Sequence, residues 1–467
     1  MDRVGSSSAL APILPVRRRI CRGRWAGFCG FLIIGYLSMS RGFAYLGLPW
    51  ISLYIGEIAL VVFLLFGPES KQGRWVRIAL RVRHLRRFEW LLLMLLCYGG
   101  FEALRGILEG YPAFAAARDT AFDYYPLFLF LGIWVGLADR DFLRRVVRKL
   151  AWWNGCYGLA YVLVLSRLPW TMPGTASAAS IVPLFTEPYG SGIALLGLLA
   201  FEPKLRRVWY LVALNTFVML GVQQRAEWVG FTVGLLTFAW CTNRLHQMFI
   251  AAALVVALLG VMFVARVNLQ SPRGRGGRIS VDYIVARAVA PISKNLADKL
   301  APSKDAGFFA KTANWRLVWW ASIWSHVNAS VSNALFGFGY GYPIGELNPL
   351  VEPGMFIQTP HNDFMYALGF SGWLGVGLFG LLQLELCRLL LRSYGINGEP
   401  FGLMLWSMMV AFSMFTEIFE GPFGAIPFYL LAGMALAGGL LARRVVVAPV
   451  PAATLRTPPH LSPVEPG

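Results

Sequence analysis

Long apolar runs separated by polar connections occupy most of the chain. The first extends from Trp25 to Ser40 behind a basic arm, and a second, Leu48 to Phe66, follows almost at once. Further runs lie near 88–104, 120–138, 150–166, 181–201, 206–222, 226–242, 247–266, 363–387, 400–418 and 423–442. Most approach the roughly 17–25 residues a helix needs to cross a bilayer, so about twelve crossings are expected. Pro188 predicts a kinked or shortened helix in the sixth run. A signal peptide does not fit the start, because no small-residue cleavage site precedes more polar sequence.

Composition agrees with this pattern. Of 467 residues 57% are hydrophobic, with 17 Trp and 33 Phe, more apolar material than a soluble core of this size requires. Cys21, Cys29, Cys97, Cys156, Cys241 and Cys387 lie in apolar runs or at their edges without a CxxC pair, so neither a disulfide framework nor a zinc site is expected.

The net charge of +18 is explained by where the cations fall. Lys71, Arg74, Arg77, Arg81, Arg83, Arg86 and Arg87 share one loop, and Arg144, Arg145, Arg148 and Lys149 another. Lys204, Arg206 and Arg207, then Arg244, then Arg388 and Arg392, and last Arg443 and Arg444 continue the alternation. Basic loops stay cytoplasmic, which puts both termini inside and the long interval 267–361 outside. Topology thus accounts for the charge without a nucleic-acid partner. The expected organisation is a basic arm 1–24, nine spans over 25–266, the outer loop 267–361, three spans over 362–444 and a disordered Pro-rich tail 445–467.

Several arginines run against the charge rule. Arg41, Arg105, Arg118, Arg225 and Arg316 all fall at expected outer positions. Singly, each is explained by snorkelling to lipid headgroups. Together they suit an anionic ligand, since the guanidinium fork grips phosphate bidentately and stays charged. Arg225 stands out because the turn VQQRAEW holds it where two helices meet. Glu187, Glu417 and Glu420 lie near outer ends of spans, where they could orient a ligand's hydroxyl groups or hold a metal, but they are scattered and no DxD-like pair occurs, so no metal is expected.

Within the outer interval, SPRGRGGR opens a basic stretch, 271–311, that either covers a site or is a solvated connection. Asn314 to Val327 then places Trp315, Trp319, Ile323 and His326 on one helical face, as in a helix lying at the membrane interface. LFGFGYGYP, with Gly337, Gly339 and Gly341 between aromatics, makes a tight turn; no Lys-Ser/Thr follows, so a phosphate loop is poorly supported. The stretch TPHNDFMYALGFSGWLG closes the interval. His361 there has two readings: with Asn362 it caps the next helix, or its imidazole exchanges a proton with an incoming hydroxyl.

The order from Arg225 to Gly375 resembles the O-antigen ligase/polymerase superfamily. An Arg after a span, a large outer loop with a second Arg near an aromatic helix, the FGFGYG turn, and then His-Asn follow one another. The motif H-[N/S/Q], nine residues, G, two residues and G, T or Y is met by His361, Asn362, Gly372 and Gly375. RGFAYLGLPWISLYIGE is similar to the first outer loop and second helix of Wzy-type exopolysaccharide polymerases, which tips a close choice from ligase towards polymerase.

The resemblance implies an all-α, GT-C-like membrane glycan transferase on the outer face of a bacterial inner membrane. Its donor would be an oligosaccharide on undecaprenyl diphosphate, and its acceptor a hydroxyl of lipid A-core, of another glycan or of protein. His361 would act as base or acceptor-orienting group, Arg225 and Arg316 as diphosphate binders, and no cofactor is implied. Arg41 and Arg118 join them from topology. Paired carboxylates of the glycosidase kind are not required by a single displacement. The rival is a polysaccharide or lipid transporter or flippase, but the two halves show no convincing repeat.

Overall fold

The computed structural model describes residues 16–47, 54–66, 85–139, 141–172, 183–243, 245–272, 277–301, 303–350 and 359–447. In chain order the helices are α1 (Val16–Ala44), α2 (Ile55–Phe66), α3 (Arg86–Leu108), α4 (Ala113–Asp119), α5 (Ala121–Tyr124), α6 (Phe128–Ala138), α7 (Phe142–Leu163), α8 (Ser191–Phe201), α9 (Trp209–Val222), α10 (Arg225–Thr242) and α11 (Leu245–Val264). A two-stranded antiparallel ribbon follows, β1 (Leu269–Gln270) and β2 (Arg278–Ile279), with Leu269 opposite Ile279. Then come α12 (Val281–Val289), α13 (Lys294–Leu300), α14 (Ser303–Val327), α15 (Val331–Phe336), α16 (Asp363–Asn397), α17 (Phe401–Ser413) and α18 (Pro422–Val447).

Among the described residues five segments are long and apolar enough to cross a membrane: Trp25–Ala44, Arg86–Leu108, Ala113–Ala138, Asp363–Asn397 and Pro422–Gly439. Shorter apolar helices include Ser191–Phe201, Trp209–Val222 and Phe401–Ser413. The chain is an all-α, multi-pass membrane protein. The run 181–201 departs furthest from expectation: α8 has 11 residues, about 16 Å of helix, too short to cross a bilayer core of roughly 30 Å. Pro188 lies in the non-helical approach to it. At the start, α1 already begins at Val16, inside the expected basic arm. Residues 1–15, most of the 67–87 basic loop and 448–467 of the tail lie outside the described residues.

Small residues set the closest helix contacts. A Cβ on Gly132 would come within 2.2 Å of Leu430 O, and one on Gly433 within 2.2 Å of Leu129 O, so α6 and α18 touch through their backbones. Such contacts replace the hydrophobic drive that lipid cannot supply between spans. On α10, Gly230 faces Met408 O and Gly234 faces Met404 O. As the α10 number rises the α17 number falls, so the pair is antiparallel and Arg225 stands level with the C-terminal end of α17.

That path divides the molecule into two ends. Arg225, the end of α17 and the start of α16 lie at one, the His361 end. Since α9 finishes just before Arg225, its start at Trp209 lies at the opposite end, as does the start of α11. Lys204, Arg206, Arg207 and His246 are therefore all far from His361.

The interval 267–361 is folded rather than a plain solvated connection: the ribbon, α12, α13, α14 and α15 lie within it, although 273–276 and 351–358 fall outside the described residues. On its aromatic helix the expected face is turned to protein, while Trp324 is exposed. Trp319, Ile323 and Val327 are fully buried, and the Trp319 indole N–H donates to Ile344 O at 3.1 Å. His326, expected on that face, is exposed and turned to Ser322 O at 2.8 Å. Periodicity identifies an apolar stripe; here the stripe meets protein.

Candidate functional site

The site grows from the start of α16. Asn362 is extended (φ −161) and its side-chain oxygen accepts from Phe364 N at 2.9 Å and Met365 N at 3.0 Å, satisfying two orphan donors of the helix. Its amide nitrogen donates to Met414 O at 2.8 Å. Fully buried Asp363 accepts from the backbone of Ile418 at 3.0 Å, Phe419 at 2.9 Å and Glu420 at 3.3 Å. These two side chains thus hang the whole connection between α17 and α18 on the head of α16.

His361 precedes this cap in a left-handed conformation (φ 52), which costs a non-glycine residue about 1–3 kcal/mol and persists only where surroundings impose it. The ring lies edge-on to Trp315 at 5.9 Å, and its Nδ1 is 3.2 Å from Glu417 Oε2. The Trp320 indole N–H donates to Pro360 O at 2.7 Å, fixing the backbone immediately before it. A carboxylate facing Nδ1 favours a proton there, leaving Nε2 as the proton acceptor.

Glu417 is the meeting point. Besides His361, it pairs with Arg41 and accepts from the Thr359 hydroxyl. Arg41 reaches it because α1 breaks at Ser40 (φ 37), where Thr186 accepts from Ser40 Oγ and Gly42 N, each at 3.0 Å. Arg316 donates from Nη1 to Phe415 O at 3.0 Å, two residues from Glu417. Arg118 pairs with buried Asp119 at 3.0 Å, and Asp119 Oδ2 accepts from Gly341 N at 3.0 Å, tying that arginine to the glycine-rich turn. Arg41 and Arg118 therefore reach the site already paired with carboxylates.

Glu420 closes the group. Its Oε2 is enclosed with no hydrogen-bond partner among the described residues. Burial, and next the charges of Asp363 and Asp119, push its pKa well above the carboxylate range, against the opposing pull of Arg118 and Arg41. These surroundings favour the protonated form of Glu420.

Arg225, half-buried, opens α10 after a left-handed Gln223 (φ 59). The Gln223 side chain donates to Arg278 O at 3.0 Å and accepts from Ser271 Oγ at 3.1 Å, so the base of the interval 267–361 braces the turn that presents Arg225. The helix register places Arg225 beside the Ser413–Met414 end of α17.

The turn Leu335–Tyr342 lies across α16. Phe338 N donates to Gly369 O at 2.8 Å and Gly339 N to Phe370 O at 3.0 Å, while Gly337 (φ 67) and Gly372 (φ 59) both take conformations reserved for glycine. Arg105 secures the turn from α3 through Phe336 O at 2.7 Å, so this arginine is bound to protein backbone. The motif glycine Gly372 marks a break in α16; Gly375, one turn on, packs against Ser371.

The structure thus brings His361, Asn362, Arg41 and Arg316 onto the connection Met414–Gly421, with Arg118 acting on Glu420 and Arg225 at its base. Gly337, Gly339 and Gly372 form a scaffold beside it. What the spacing of motifs did not reveal is that connection itself, together with Thr359, Thr186 and Asp119. An acidic pair, Glu417 and Glu420, at the outer end of a span was the available signal.

These features define a polytopic membrane protein with an arginine, histidine and carboxylate cluster at one end of its helices. Residues 189–380 match the family described as O-antigen ligase, which supports the O-antigen ligase-like superfamily for this chain and, in general terms, a glycan ligase or polymerase role. The match contains Arg225, Arg316, His361, Asn362, Gly372 and Gly375; Arg41, Arg118, Glu417 and Glu420 lie outside it. No curated protein matches the chain.

Proposed function

We propose that the protein transfers or polymerises a glycan carried on undecaprenyl diphosphate, at the outer face of a bacterial inner membrane with both termini in the cytoplasm. The carrying observation is the pairing of His361 with Glu417 in a loop hemmed by arginines. In this reading His361 Nε2 takes the proton of an acceptor hydroxyl as its oxygen attacks the anomeric carbon. Glu417, receiving the Nδ1 proton in a hydrogen bond, stabilises the imidazolium that results. The carbon–phosphate oxygen bond breaks with inversion, and the diphosphate leaves with the bonding pair. Arg225 and Arg316 neutralise it, supported by Arg118, so no metal is needed. Arg41 serves by fixing Glu417 and adding positive potential.

The test is transfer by the purified protein given lipid-diphosphate-linked donor and a hydroxyl acceptor. Turnover is expected to survive excess EDTA, and Arg225→Lys, which keeps charge without the fork, to lower it at least tenfold. Movement of the lipid-linked glycan across vesicles without any transfer would establish the transporter reading instead. Rescue of an EDTA-silenced protein by magnesium would put Glu417 and Glu420 in a metal site.

A further inference from the structure

At the end of the bundle away from His361, a cavity of about 400 Å³ opens between the connection into α9 and the first turns of α11. Lys204 and Arg206 line it from one side and His246 from the other, with Trp209, Ile250 and Leu254 completing the wall. Among the described residues no carboxylate lines it, and the nearest acid in sequence, Glu202, is turned to Arg144 at 3.9 Å. Leu205, between the two cations, is 5% exposed and anchors their connection.

Cations at a rim above an apolar wall have the polarity of a phospholipid at the membrane surface. Trp209 and Ile250 are exposed, at 58% and 46%, on a surface that lipid would cover. We propose that this cavity is a binding site for an anionic phospholipid: its phosphate sits among Lys204, Arg206 and His246, and an acyl chain runs along Trp209, Ile250 and Leu254. Charge complementarity selects an anionic headgroup over a zwitterionic one, whose ammonium would face the same cations unpaired. The apolar wall distinguishes a lipid from free phosphate, which would leave Ile250 and Leu254 unused. The site is independent of the glycan-transfer reading, lying at the other end of the helices.

The experiment uses the full-length protein in detergent, titrated with labelled phosphatidylglycerol and, separately, phosphatidylcholine. Phosphatidylglycerol is expected to bind more tightly, and Lys204→Gln/Arg206→Gln/His246→Gln to weaken it roughly tenfold or more. Arg148→Gln/Lys149→Gln/Arg392→Gln, which removes as much positive charge or more at the same end outside the cavity, is expected to bind as the parent does. Single Lys204→Gln and Arg206→Gln variants keep the test readable should the triple variant fold poorly; each is expected to lose part of the affinity. Equal binding of the two lipids, equal loss in the control variant, or complete displacement by inorganic phosphate at millimolar concentration would each overturn the proposal.

Discussion

Gly337 and Gly372 meet backbone to backbone: a Cβ built on either would come within 2.6 Å of the other's amide nitrogen. The contact explains why a glycine stands ten positions beyond Asn362. It lets the glycine-rich turn cross the break in α16, and through Tyr340 OH to Asp123 at 2.7 Å the turn is locked to α5. Ala at either glycine must take a strained backbone, costing about 1–3 kcal/mol before the clash is counted. Gly337→Ala and Gly372→Ala should therefore lower the yield of folded, monodisperse protein. Gly377→Ala, with nothing within 4 Å of its Cβ, should be neutral or stabilising. Size-exclusion profiles of the three variants decide this.

Topology is checked separately. A reporter active only outside the cytoplasm should be active when fused after Lys299, in the folded interval 267–361, and silent after Arg83. The reverse pattern would invert the membrane placement on which the proposed donor and acceptor depend.

Much of this architecture could be read from the residues. Apolar runs located the helices, and His361-Asn362 with its spacing to Gly372 located the head of α16. The connection Met414–Gly421 could not be read, because its importance comes from partners far away in sequence: Glu417 meets Arg41 across 376 positions and Thr359 across 58. Asp363, in sequence only an acid in the first turn of a helix, is also the acceptor for three backbone donors of a distant loop. The stripe of Trp315, Trp319 and Ile323 was visible as periodicity, but whether such a stripe faces lipid or protein depends on what packs against it.

Glu420 provides a pH signature. Below the ordinary carboxylate range the group is protonated whether the chain is folded or not. Above it, the unfolded chain ionises while burial beside Asp363 and Asp119 keeps the folded form neutral, so this group's contribution to stability falls as pH rises towards its raised pKa. Glu420→Gln keeps a neutral side chain and abolishes the titration. Its melting temperature should decline less than the parent's between roughly pH 5 and 8. Parallel curves for the two proteins would mean that Glu420 is already ionised in the fold.

His361 and Asn362 separate capping from catalysis. Asn362 Oδ1 carries the cap, so Asn362→Ala should destabilise by about 0.5–2 kcal/mol and loosen the connection at Met414. His361→Ala removes no cap bond and can fold, yet it deletes the proposed base, so transfer should fall about 10²–10⁴-fold at equal abundance. Donor binding should largely persist, since the diphosphate is assigned to Arg225 and Arg316. Glu417→Gln tests the pairing itself: if the carboxylate stabilises imidazolium, the loss should be greatest where His361 must accept a proton, shifting the pH–rate profile rather than merely scaling it. A His361→Ala protein that transfers glycan at close to the parental rate would sink the proposed base and leave the arginines as a lipid-diphosphate binding site.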